Sequence, residues 1–128
     1  MKTNETKCRC RLSEAQKRVY RARAEVLKAL AHPARLWMTE QLEEGERCVY
    51  EFVEALGVDF STVSKHLTVL RRAGIVDSRK EGKQVIYSLK TPCLLKFMQC
   101  VEAVLESDAR DRARCVTGCL RKNPADSV

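Results

Sequence analysis

The sequence predicts a mainly α-helical fold with one small β-hairpin, a winged helix–turn–helix. Two helical patterns, at about Val49–Leu56 and from Phe60 onward, are separated by Gly57-Val58-Asp59, a turn of the length that such motifs use. Two β-rich runs follow directly and flank a glycine-containing turn. Basic residues concentrate on the second helix and the hairpin, whereas the segment before them is acidic. These three observations predict the fold class.

The composition indicates one domain with a polyanionic partner. The chain has 128 residues, a net charge of +7 and a pI near 9.2. No apolar run approaches the length of a membrane span, and the N-terminus lacks the apolar region of a secretory signal, so we expect a cytoplasmic protein without a membrane partner. In a reducing compartment the seven cysteines are expected to be free thiols or metal ligands.

The first part of the chain predicts an arm and two helices. Residues 1–12 are polar and basic and are expected to form a flexible arm. Ser13 and Gln16 have the spacing of a capping box, which starts a helix that runs to about Ala31. His32-Pro33 breaks it, and Pro33 begins a second helix that Gly45 closes.

The second helix of the motif has one apolar and one polar face. Asp59 is expected to be its N-cap, and Gly74 lies just past its end. Four residues at helical spacing are expected to be buried: Phe60, Val63, Leu67 and Leu70. The opposite face carries hydroxyl and cationic side chains, the types that approach bases and phosphates.

The hairpin is predicted from two apolar runs around a charged tip. Ile75-Val76 and the run from Val85 to Leu89 flank the segment Arg79–Gln84. Lysine and arginine outnumber acidic residues seven to two between Ser61 and Lys90, whereas acidic residues outnumber them six to two between His32 and Gly57. Such segregation is typical of a phosphate-binding face. The predicted DNA contacts are Ser61, Thr62, Ser64, Lys65, His66 and Thr68 on the helix, with Arg79, Lys80 and Lys83 on the wing.

After the wing, Thr91-Pro92 predicts the start of a last helix with a wide apolar surface. A surface wider than one core contact needs indicates an oligomer interface. We therefore expect a homodimer through the first and last helices, which presents two reading helices to double-stranded DNA. The predicted domain, including these dimerisation helices, covers residues 13–107, and a charged C-terminal tail covers 108–128.

Three segments together resemble the ArsR/SmtB family of metal-sensing winged-helix repressors. They are LAHPARLWMTEQL, ERCVYEFVEALGVDFSTVSKHLTVLRRAGIV and RKEGKQVIYSL, and the likeness covers roughly Val26–Leu89. The resemblance implies a homodimeric repressor, not an enzyme, that leaves operator DNA when an inducer binds. No nucleophile–base pair is visible in the sequence, which also argues against an enzyme.

The resemblance also implies where an inducer binds. The family's E-x-C-V-C-x motif corresponds to Glu46–Glu51, where Cys48 is kept and Tyr50 stands in place of the second cysteine. Members of the family with N-terminal cysteines complete the site from the arm of the other protomer. By resemblance, Cys8 and Cys10 supply two thiolates to Cys48 of the partner subunit.

The remaining thiols leave alternatives open. Cys93 and Cys100 share a helix face but lie ~10 Å apart along the axis, so one straight helix cannot bring both to one ion. They are the second choice of effector thiols, because some family members sense through this helix. Cys115 and Cys119 have i, i+4 spacing, and their role stays open.

The ligand chemistry favours soft ions over an organic cofactor. Thiolates are abundant and there are two histidines, of which His32 is expected to be structural, so the expected inducers are As(III), Sb(III), Cd(II) or Pb(II). The alternative is a thiol redox or persulfide sensor of the same fold, with Cys48 and Cys100 as the pair.

Overall fold

The computed structural model describes the backbone of residues 11–121 and the side chains of residues 11–113. The chain divides into two compact units, one ending at Pro92 and one beginning at Cys93. The elements of the first unit are α1 (Glu14–Leu30), α2 (Pro33–Glu44), β1 (Arg47–Cys48), α3 (Val49–Leu56), α4 (Phe60–Arg72), β2 (Val76–Glu81) and β3 (Gln84–Leu89). A 3₁₀ helix (Pro92–Phe97) and α5 (Met98–Arg121) follow.

Helices α1 and α2 begin as the sequence predicts. The Ser13 hydroxyl accepts from the Gln16 backbone N–H at 3.2 Å, and the Gln16 side-chain oxygen accepts from the Ser13 N–H at 2.9 Å. His32 is the N-cap of α2, because its Nδ1 accepts from the Ala34 N–H at 3.1 Å, and Pro33 is the first helical residue. The structural role expected for His32 is therefore confirmed.

The core of the first unit lies where α2, α3 and α4 meet the hairpin. Its largest fully buried apolar side chains are Met38, Phe52, Val63, Leu67, Leu70, Ile75 and Val76. Three of the four apolar residues predicted for α4 are thus buried, but the prediction for Phe60 is wrong, since 48% of its surface is exposed. As the first residue of α4, Phe60 lies a turn beyond the buried side chains of that helix, and its ring contacts exposed Tyr50.

The sheet has three antiparallel strands in the order β1-β3-β2. Strands β2 and β3 form the predicted hairpin, and Gly82 adopts a left-handed φ of +63° in the two-residue turn between them. Strand β1 was not predicted. It has two residues, Arg47 and Cys48, which pair with Tyr87 and Ile86.

The second unit differs from the sequence prediction at both ends of its helix. The segment after Thr91-Pro92 is 3₁₀ up to Phe97, and α5 continues beyond residue 107 to Arg121. The helical backbone therefore continues past residue 107, where the sequence analysis placed the end of the domain. Ion pairs at i, i+4 spacing, Glu106–Arg110 at 3.6 Å and Asp108–Arg112 at 2.5 Å, support this polar stretch as helix.

Neither α5 nor any other helix within the described residues is long and apolar enough to cross a membrane. Residues 1–10 of the proposed N-terminal arm, which include Cys8 and Cys10, lie outside the described residues.

Candidate nucleic-acid interface and thiol sites

The turn between α3 and α4 sets the start of the reading helix. Gly57 closes α3 with a left-handed φ of +65°, and its N–H donates to the Val53 carbonyl at 3.0 Å. Asp59 caps α4 by accepting from the Thr62 N–H at 3.3 Å and the Thr62 hydroxyl at 2.5 Å. These hydrogen bonds, the one from the Thr62 hydroxyl foremost, lower the pKa of the Asp59 carboxyl. Asp59 therefore stays ionised at the positive end of the helix.

The outward face of α4 carries most of the predicted contacts. Ser61 and Lys65 are exposed, whereas Ser64 and Thr68 are half-buried. The Thr68 hydroxyl donates to the Ser64 carbonyl at 2.8 Å. Among the described residues, no carboxylate lies within ion-pair distance of Lys65. Its ammonium charge is therefore available to a phosphate.

His66 points away from this face. Its ring centroid lies 4.5 Å from that of His32, and its Nδ1 lies 3.3 Å from an Arg35 guanidinium nitrogen. Burial, followed by the charges of His32 and Arg35, lowers the pKa of His66 below its ordinary value of 6.5. His66 therefore packs beside His32 and Arg35 of α2.

The His66 environment predicts a pH-dependent stability. Because its pKa is lowered on folding, the unfolded chain binds the proton more tightly. The contribution of neutral His66 to the free energy of unfolding is expected to be fully present above pH 6.5 and to be lost as the pH drops through the lower pKa of the folded state. Denaturant unfolding at pH 7.5 and pH 5 measures this loss, and His66→Gln should make it smaller. Equal losses in the two proteins would contradict this role for His66.

The wing contains one paired and two unpaired cations within the described structure. Arg79 Nη2 lies 2.9 Å from Glu46 Oε1 and 3.0 Å from Glu81 Oε2, and its Nη1 also bonds Glu46. These carboxylates raise the pKa of Arg79, and the bonds from Arg79 lower that of Glu46. Lys80 and Lys83 are exposed and have no such partner among the described side chains. The pairing of Arg79 with Glu46 was not expected from the sequence, because the two residues are 33 positions apart.

Three cysteines lie in the part of the chain whose side chains are described, and all three are free thiols. Cys48 is half-buried in β1, at the N-cap of α3, and its side chain makes no capping hydrogen bond. Cys93 and Cys100 are exposed and free. No group of three potential metal ligands occurs in the described part of the chain. Cys8 and Cys10 lie outside that part, as do the side chains of Cys115 and Cys119.

A short turn that leads into an exposed cationic helix, followed by a basic two-stranded wing, defines a winged helix–turn–helix domain of the DNA-binding class. The chain belongs to the arsR family of bacterial regulatory proteins. The family model, described as "Bacterial regulatory protein, arsR family", matches residues 32–78. The protein is therefore a transcriptional regulator and not an enzyme.

The chain is also similar to individual transcriptional regulators. The uncharacterized HTH-type transcriptional regulator Rv0081 of Mycobacterium tuberculosis is 39% identical over 95 residues, which are 73% of this chain and 83% of Rv0081. The crystal structure of Rv0081 has a TM-score of 0.64 at 38% identity and covers 74% of this chain and 96% of its own. The transcriptional repressor SmtB of the same species is 46% identical over 68 residues, which are 53% of this chain and 50% of SmtB.

One solved structure to which the chain is similar is a homodimer. The winged helix–turn–helix DNA-binding domain of Mb0332 from Mycobacterium bovis, a possible ArsR-family regulator, is homodimeric in solution. It is 28% identical to this chain with a TM-score of 0.65, and the match covers 77% of this chain and 91% of that domain.

Proposed function

We propose that this chain is a cytoplasmic, homodimeric repressor that binds operator DNA and releases it when a thiophilic ion binds. The observation that supports this most is the cationic face of α4, where Lys65 has no carboxylate partner among the described residues, together with a basic wing in a chain of this family. The inducers we propose are As(III), Sb(III), Cd(II) or Pb(II), since thiolates prefer soft ions.

In the proposed complex, α4 enters the major groove and the wing holds the backbone. Ser61, Ser64 and Lys65 face the bases and phosphates, with Thr62 and Thr68 at the margin because their hydroxyls donate within the helix. Lys80 and Lys83 contact phosphates from the wing. Arg79 also contacts a phosphate when that phosphate replaces the Glu46 carboxylate as its partner.

The proposed dimer buries apolar side chains that one protomer leaves exposed. On α1 these include Val19, Tyr20 and Leu27, and on α5 they include Val104 and Leu105. Exposed apolar residues on two long helices favour association, because water is then removed from both surfaces. The homodimeric Mb0332 domain supports this assembly.

The proposed sensor lies beside the wing. Cys48 is in β1, whose backbone pairs with Ile86 of β3, and Glu46, two residues earlier, holds Arg79. A thiophilic ion on Cys48, completed by Cys8 and Cys10 from the partner subunit, would change the position of β1. Because β1 is hydrogen-bonded to the wing, an ion that binds the two dimer conformations unequally shifts the population away from the DNA-bound form.

Selection from a random duplex pool tests the proposed function. The wild-type protein should enrich a palindromic sequence whose half-sites are about 10 base pairs apart centre to centre, bound by two protomers. Enriched sequences without two-fold symmetry, or one protomer per site, would contradict the dimeric mode of binding.

The ion pair of Arg79 gives a further prediction. Glu46→Gln removes a carboxylate that competes with DNA phosphate for Arg79, and Glu81 remains. We expect operator affinity to rise severalfold, with a steeper salt dependence, because one more cation per protomer contacts phosphate. The matched control is Glu43→Gln, an exposed change on α2. An affinity of Glu46→Gln that equals the control would contradict a phosphate role for Arg79.

A further inference from the structure

Apolar side chains form an exposed patch at the leading end of α4. Phe60 is 48% exposed, and Tyr50, in the first turn of α3, is 59% exposed. Their ring centroids are 5.4 Å apart and the ring planes are inclined by 44°. Val58, in the turn between the helices, is also exposed. Exposed apolar groups that cluster in this way are typical of binding surfaces.

The polar groups at this end of α4 are largely committed to the helix cap. Asp59 accepts from the backbone and the hydroxyl of Thr62. The ring of Phe60, in contrast, lies at the surface and packs against the adjacent Tyr50 ring. In helix–turn–helix proteins the N-terminal residues of the reading helix contact base edges. Phe60 is the first residue of α4 and therefore lies among the positions that contact bases in such proteins.

The major groove offers one apolar group on its base edges, the C5-methyl group of thymine, and phenylalanine is among the side chains that contact it. We propose that Phe60 packs against a thymine methyl group in each half-site, and that Tyr50 is a positioning residue for the Phe60 ring. This assignment rests on the proposed DNA-binding function and adds a base preference to it. It also gives a role to Tyr50, which stands where the family has its second motif cysteine.

Deoxyuridine substitution tests the contact directly, because uracil differs from thymine only by that methyl group. In the duplex selected by the wild-type protein, symmetric pairs of thymines are replaced one pair at a time. For one of these pairs, the affinity of the wild-type protein should fall about fourfold per half-site, or roughly 15-fold in all. This is the loss expected when one buried methyl group is removed from each half-site. F60A and F60Q should bind the thymine duplex and the uracil-substituted duplex equally well. Tyr50→Phe should keep the discrimination, and Tyr50→Ala should reduce it.

The control is Val69→Ala, another exposed apolar side chain of α4, which should discriminate as the wild type does. Both Phe60 variants replace an exposed side chain, and circular dichroism checks that they fold. Wild-type protein that ignores every uracil pair, or Phe60 variants that keep the full discrimination, would overturn the assignment alone. A wild-type protein that enriches no duplex would overturn the proposed function and the assignment together.

Discussion

Lys65→Ala is expected to weaken operator binding by roughly 60-fold at 0.1 M salt. A dimer loses two phosphate contacts, and each contact contributes about 0.9 to the slope of log affinity against log salt concentration. Lys65 is exposed on the outward face of α4, and no carboxylate among the described residues competes for it. The logarithmic salt slope should therefore decrease by about 1.8. Fluorescence anisotropy with a labelled operator at several salt concentrations measures both quantities.

A matched control separates this contact from the general charge of the protein. Lys96 is also exposed but lies in the 3₁₀ segment after the wing. Lys96→Ala removes the same charge and should leave the salt slope within error of the wild type. If Lys65→Ala kept the wild-type slope, this face of α4 would not be the phosphate-binding face.

Cys48→Ser is expected to abolish release by the inducing ion while operator affinity stays as in the wild type. The hydroxyl has nearly the size of the thiol but is a poor ligand for soft ions. The Cys48 side chain makes no capping hydrogen bond, so its loss should not disturb the start of α3. Release is measured by titrating the protein–operator complex with As(III), Sb(III), Cd(II) and Pb(II) under strict reduction.

The other cysteine variants show where the site is if this prediction fails. If the arm completes the site, Cys8→Ser and Cys10→Ser should also impair release by the inducing ion. A Cys48→Ser protein that still responds, together with a Cys93→Ser or Cys100→Ser protein that does not, would move the sensor to those thiols. Release by an oxidant or a persulfide, with no ion bound under reduction, would instead support a thiol redox sensor.

The sequence predicted the helix–turn–helix because its signals are local. The Asp59 cap, the left-handed Gly57 and the apolar stripe from Val63 to Leu70 each lie within a few residues of the structure they specify. The wing was predicted for the same reason, since β-branched residues on both sides of Gly82 suffice to indicate a hairpin.

The features that the sequence did not reveal depend on partners far away in the sequence or on where a helix leaves the core. Strand β1 has two residues, too few to show alternation, and exists by pairing with β3. The Glu46–Arg79 pair joins residues far apart in the sequence, so no local spacing predicts it. Phe60 continues an apolar stripe by periodicity, but periodicity does not show where the core ends.

The most direct test is the titration of a double-stranded oligonucleotide with the purified wild-type protein at low ionic strength, followed by anisotropy. We expect saturable binding by two protomers per site that weakens steeply as salt is added, because cations on α4 and the wing displace counterions from the duplex. No change in anisotropy at micromolar protein concentrations would contradict DNA binding and, with it, repression and its release by a thiophilic ion.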